Sequence, residues 1–184
     1  MQINTVFSAS YNPGPEIDIA VLKDIGPTWG SWRSWRACLT DNVVCYENSR
    51  ARQMLERNFQ NLCNLYISKA SYQDLGRPQG VKLYDGNYIE TVVDLEDIIT
   101  MHLVAPISNI VLLFGFDFTT PETPDDVFKR HQIQNRHGLQ RQAIASNPEI
   151  QWVLVDHFND IDKNYKELIN LTCDKMKNVL HLLK

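Results

Sequence analysis

Asp117 and His131 are the residues in this chain best suited to proton transfer. Asp117 closes the most apolar run, Asn109 to Phe118, and His131 falls on the helix expected after it. An imidazole titrates near neutral pH, so His131 is a candidate general acid or base, and Asp117 could orient it or bind a metal. Asp156-His157 is an alternative pair. Neighbours on an extended strand point to opposite faces, so these two act together only if the strand has ended. His102 and His181 fall on apolar helix faces and read as packing residues. Arg130, Gln134, His137 and Arg141 are spaced as one helical stripe, which by itself describes a solvated face.

A second set of residues has the chemistry of an anion site. Gly26, Pro27 and Thr28 follow a segment, Ile17 to Lys23, that reads as a β-branched strand. Glycine in such a turn lets the backbone approach a phosphate at a helix start. An acid about 20 residues further on binds ribose hydroxyls in dinucleotide sites. Gly26, Gly30 and Glu47 match that layout loosely, with Glu47 lying 21 residues after Gly26. The spacing is GxxxG rather than GxGxxG, and Pro27 offers no N–H, so a tight structural turn is the competing reading.

Trp29, Trp32 and Trp35 interleave with Arg33 and Arg36 on an expected helix from Trp29 to Leu39. Residues four apart are adjacent there, so indole and guanidinium can stack. Such a surface holds a base or sugar face while arginines grip phosphate. The same residues also fit core anchors with arginines lying over them, or an interface hot spot that would make the chain a homo-oligomer.

These residues need elements to position them. After an early apolar piece (Ile3, Val6, Phe7) and the turn chemistry of Asn12 to Pro15, strands are expected at 17–23, 42–47, 62–67, 109–118 and 150–157. Helices are expected at 29–39, 49–60, 94–105, 123–146 and 165–183. Val81 to Tyr84 and Tyr88 to Val93 fit a hairpin about Asp85-Gly86, which makes residues 68–93 an insertion, an edge hairpin or a flap. The alternation predicts a single α/β domain over residues 1–184. Its core is a three-layer Rossmann-like or flavodoxin-like, mostly parallel sheet of five or six strands with helices on both faces. The uniformly apolar 109–118 segment is expected to be its central strand. Ligands in such sheets bind outside the carboxyl ends of the strands. The Asp24 to Thr28 turn, Glu47, Asp117 and Asp156 are therefore expected on one edge.

Composition narrows the function classes. Eighteen basic and 22 acidic residues give a net charge of -4, which provides no footprint for duplex nucleic acid. The four cysteines, Cys38, Cys45, Cys63 and Cys173, have no CxxC spacing, which suits a reducing compartment and disfavours zinc. No apolar stretch is long enough for a membrane span, and the first residues lack signal-peptide character, so a cytoplasmic protein is expected.

The segment Asn109-Ile-Val-Leu-Leu-Phe-Gly-Phe-Asp-Phe118, with its polar loop and His131, resembles the strand, Gly, x, Asp segment of Rossmann-like bacterial sialyltransferases. It also resembles the related DUF115 group that includes a pterin diphosphokinase. Those families carry a Gly-x-Gly-Pro-Ser type loop after the first strand, of which Gly26-Pro27-Thr28 keeps a part without the first glycine. The resemblance implies a nucleotide-activated donor at the strand ends.

The function expected is a small transferase, glycosyltransferase-like, that acts on a nucleotide-activated or phosphorylated substrate. Gly26, Thr28, Arg33 and Arg36 would hold phosphate, Glu47 and Asp156 would complete the cofactor site, and a nucleotide or nucleotide sugar would be the ligand. Asp117 and His131 would do the acid–base or orienting work. No metal ligand set is assigned. The alternative is a non-catalytic ligand-binding or assembly module that uses the Trp29–Trp35 helix as its interface.

Overall fold

The computed structural model describes residues 2–9, 19–86, 95–116 and 127–155. In chain order the elements are β1 (Ile3–Phe7), α1 (Ile19–Ile25), β2 (Thr28–Ser31), α2 (Trp32–Cys38), β3 (Asn42–Cys45), α3 (Asn48–Glu56) and β4 (Asn64–Ser68). They continue with α4 (Lys69–Asp74), β5 (Val81–Tyr84), α5 (Leu95–Val104), β6 (Ile110–Phe114), α6 (Val127–Ala145) and β7 (Gln151–Val155). The strands form one seven-stranded sheet in the order β5-β4-β3-β2-β1-β6-β7, with every neighbouring pair parallel. This is a Rossmann-like α/β arrangement, with more strands than the five or six expected.

Side chains alternate across the sheet and divide the core into two layers. Val6, Trp29, Val44, Val111, Leu113 and Leu154 pack with Ile98, Met101 and Val104 of α5 and Ala143 of α6. On the other face Ile3, Phe7, Leu112, Phe114 and Val153 meet Leu22 of α1 and Cys38 of α2. Further along that face Val43, Cys45, Leu65 and Ile67 meet Ala51 and Met54 of α3, with Tyr72 of α4 and Leu75 at its C-cap beside them. Helices α1 to α4 therefore cover one face while α5 and α6 cover the other.

The chain builds outward from β1 to β5 and then crosses back to lay β6 against the other side of β1. That reversal makes the β1/β6 boundary the topological switch point, where the following connections depart to opposite faces. Segment 109–118 supplies β6, which is paired on both sides by β1 and β7. It is interior but next to the edge; the middle strand is β2.

Three expectations are corrected. Ile17 to Lys23 is not a strand: residues 19–25 form α1, and the first strand is the early piece Ile3–Phe7. Its polar Asn4 is buried because Trp29 Nε1 donates to Asn4 Oδ1 at 2.9 Å and Asn4 Nδ2 donates to Ser108 Oγ at 2.8 Å. Trp29 belongs to β2, so the expected Trp29–Leu39 helix shortens to α2, capped by Ser31. Residues 68–84 are no irregular flap: α4 and β5 make an ordinary crossover unit, and β5 pairs parallel to β4. The expected return arm at 88–93, the turn at 12–15, the cap at 123–126 and the helix at 165–183 lie outside the described residues.

Candidate functional site

At the carboxyl end of β1 the first turn of α5 is fastened to the strand. The Asp97 carboxylate, 2% exposed, accepts the Ser8 hydroxyl at 2.8 Å and the Ala9 amide at 2.7 Å. Ser8 N in turn donates to Phe114 O at 2.9 Å, joining the ends of β1 and β6. Gly115 follows β6 with φ of 70°, a left-handed conformation that glycine adopts without a Cβ penalty and that ends the strand abruptly. These contacts tie the ends of β1 and β6 and the start of α5 together at the switch point.

Two strands away, the ends of β2 and β3 gather charge. Ser31 ends β2 and caps α2 by accepting from the Arg33 and Ser34 amides, which places Arg33 in the first turn at this edge. Glu47 ends the β3 segment at the N-cap of α3, exposed and making no side-chain capping bond. Arg50 follows in the first turn of α3. Cys45, buried beneath them, reports their proximity. Burial pushes its thiol pKa up, the charges of Glu96 and Glu47 add to that rise, and Arg50 offsets part of it. Tyr84, at the end of β5, donates its hydroxyl to Cys45 O at 3.2 Å.

The tryptophans separate by element. Trp29, 3% exposed, faces α5 inside the sheet layer and stacks at 5.1 Å on Tyr66. Trp35 packs on Phe59 at 4.5 Å. Trp32 carries Arg50 at 3.7 Å and Arg36 at 5.5 Å from its ring centroid. The Trp32–Arg36 pairing expected from the spacing is present, and Arg50 was not anticipated.

Two of the expected phosphate ligands are at the wrong edge. Gly26 precedes β2 and Thr28 opens it, so they sit where the strands begin, at the opposite edge from Glu47. A Cβ on Gly26 would overlap the carbonyl oxygen of Ile3, so its glycine serves the close approach of the α1–β2 turn to β1. The buried Thr28 hydroxyl donates to Asp41 Oδ2 at 2.7 Å and accepts from Asp41 N at 2.9 Å, which leaves it occupied. Gly30 lies within β2 against Ser34. The error follows from reading α1 as a strand, because the turn after a helix lies at the opposite edge from the turn after a strand.

On the α1–α4 face, Arg33 stands in the first turn of α2, Arg36 in its last turn, and Glu47 at the N-cap of α3. His131 is exposed on α6, on the other face. From the Ile150 turn that leads into β7, α6 runs back antiparallel to the strands. Its 19 residues span about 28 Å, and His131 is the fifth of them. The stripe on α6 is not uniformly solvated: Gln134 and Arg141 are exposed, whereas His137 is 5% exposed. Asp117 and Asp156 lie outside the described residues.

Ser8, Asp97, Glu96 and Arg50 are the edge residues that sequence reasoning missed. Asp97 and Glu96 had been legible only as acids at a helix start, a position that the macrodipole favours anyway. Among the described residues no group of three or more His, Cys, Asp or Glu could hold a metal, and no helix is long and apolar enough to cross a membrane. Comparison of the chain with protein-family models, curated proteins and solved structures finds no match.

Proposed function

We propose that the chain binds a phosphorylated or nucleotide-activated small molecule across the carboxyl edge of its sheet and transfers a group from it. The observation that carries this reading is the switch point between β1 and β6, where Asp97 ties α5 to Ser8 and Ala9 at the end of β1. Parallel sheets of this kind take ligands at that place. Arg33 and Arg36 supply positive charge on one side of the crevice, and Glu47 accepts ligand hydroxyls. His131, on the other side, serves as general acid or base, with Asp117, the residue after Phe116, as its partner carboxylate. Anion recognition and proton transfer on opposite sides of one crevice suit a reaction between a donor and an acceptor. The interface reading of the Trp29–Trp35 segment has less support, because Trp29 is enclosed in the sheet layer and Trp35 is packed on Phe59.

Thermal-shift and calorimetric titration with nucleotides and nucleotide sugars tests the reading. Arg33→Ala weakens binding, whereas His131→Ala keeps affinity and loses turnover. Failure of every such compound to bind, or full affinity and turnover in both variants, overturns it.

A further inference from the structure

We infer that Trp32, Arg36 and Arg50 form a phosphate-recognising subsite at the carboxyl end of β3, taking a phosphate whose attached sugar presents a hydroxyl to Glu47. This rests on the reading that the carboxyl edge takes a phosphorylated ligand, and it adds which residues meet the phosphate.

Two guanidinium groups are held on one indole, at 3.7 and 5.5 Å from its centroid. Both guanidinium charges act from the neighbourhood of that ring, and their summed positive field favours an anion there. No described carboxylate lies within 4.0 Å of either arginine, in contrast to Lys23 with Asp41 and Lys69 with Asp85. Arg50 is also short of acceptors. Its Nε is buried without a partner, and Gln53 Oε1 meets Nη1 alone, at 3.1 Å. Stacking on Trp32 fixes the guanidinium plane, which lowers the ordering cost of a fork-shaped contact to phosphate.

The backbone adds to the same field. Helix α3 has nine residues, and its N-cap Glu47 makes no side-chain capping bond. Its first-turn amides therefore point uncapped toward the edge where Arg50 stands. α2 and α4, by contrast, are capped by Ser31 and Ser68. Glu47 opposes a bare anion but accepts a hydroxyl bond, so the pair selects a sugar phosphate or nucleotide over a simple polyanion.

The test is calorimetric titration of the full chain at low ionic strength with inorganic pyrophosphate and with ribose 5-phosphate. Both bind the wild type. Arg50→Gln and Arg36→Gln each weaken both ligands by about ten- to a hundredfold, the range expected for one charged hydrogen-bonding group. Glu47→Gln tightens pyrophosphate and reduces the preference for ribose 5-phosphate. Arg36 is exposed, so its variant reports on the subsite even if Arg50→Gln perturbs packing. Absence of binding by both probes, or unchanged affinity in both arginine variants, overturns the subsite. If nucleotides still bind Arg50→Gln at wild-type strength, the crevice reading stands without the subsite. If no phosphorylated compound binds at all, both fall.

Discussion

Asp97, in the first turn of α5, accepts the hydroxyl of Ser8 at 2.8 Å across 89 residues of sequence. The same carboxylate takes the Ala9 amide. Removing it strands two buried donors, so Asp97→Ala destabilises the fold by about 1–3 kcal/mol. Asp97→Asn costs less, because its amide oxygen still accepts one bond and the Ser8 hydroxyl can rotate to accept another. Urea denaturation of the two variants gives this order; wild-type stability in Asp97→Ala would show that the contact contributes nothing.

Gly26→Ala separates a structural glycine from a phosphate-binding one. The added Cβ meets the Ile3 backbone carbonyl, which cannot swing aside as a side-chain tip does. A loss of about 1–3 kcal/mol is expected from overpacking, with nucleotide affinity unchanged in the folded fraction. Reduced affinity at wild-type stability would restore the phosphate reading.

Gly26 also shows where sequence reasoning stopped. The strands Asn42–Cys45, Asn64–Ser68, Ile110–Phe114 and Gln151–Val155 are legible in the sequence because they are largely buried and their apolar runs are nearly unbroken. Ile3–Phe7 was not, because Asn4 and Thr5 interrupt it, and Asn4 is tolerated only through bonds to Trp29 and Ser108 that no local pattern displays. Residues 19–25 carry β-branched side chains that favour a strand, yet they fold as α1 with Leu22 anchored beside Ile3 and Phe7. Tertiary packing overrode propensity there. That single exchange moved Gly26 and Thr28 to the wrong edge. Helix α4, six residues long, is too short for its periodicity to show. Arg50 and Asp97 depended on contacts between separate elements.

Asp41 gives a dependence of stability on pH. Partial burial pushes its carboxyl pKa up, but the Thr28 hydroxyl and amide and the Lys23 ammonium outweigh that and hold it below 3.8. A carboxylate with a lowered folded pKa binds fewer protons folded than unfolded. Its contribution is complete above the unfolded value of 3.8 and disappears as pH falls through the folded value. The side chain is 39% exposed, so the effect stays under about 1 kcal/mol. Acid titration of Asp41→Asn by circular dichroism shows a shallower loss of stability below that pH; an unchanged slope would remove Asp41 from the account.

The thiols differ in reactivity. Cys63 is half-buried with its pKa raised to about 11, whereas Cys38 is buried and raised to about 12, both by desolvation. Cys45 is buried and shifted up by the neighbouring acids as well. In a Cys173→Ser background at pH 8, iodoacetamide modifies Cys63 first, and Cys38 and Cys45 only as the protein opens. Fast modification of Cys45 in the native state would contradict its enclosure beneath Glu47 and Arg50.

Trp29 and Asn4 tie β2 to β1 through a buried bond of 2.9 Å, and Asn4 hands its own amide on to Ser108, whose hydroxyl donates to Val104 O at 2.6 Å. This chain links the sheet to the end of α5. Trp29→Phe removes the donor and leaves Asn4 Oδ1 buried without it, at a cost of about 1–3 kcal/mol beyond the lost ring volume. Asn4→Ala removes the acceptor and strands the indole N–H. If the bond is the link, the double variant loses less than the two single losses added together, with a coupling of about 1 kcal/mol. Strict additivity in denaturant unfolding would mean that Trp29 holds its place by packing alone.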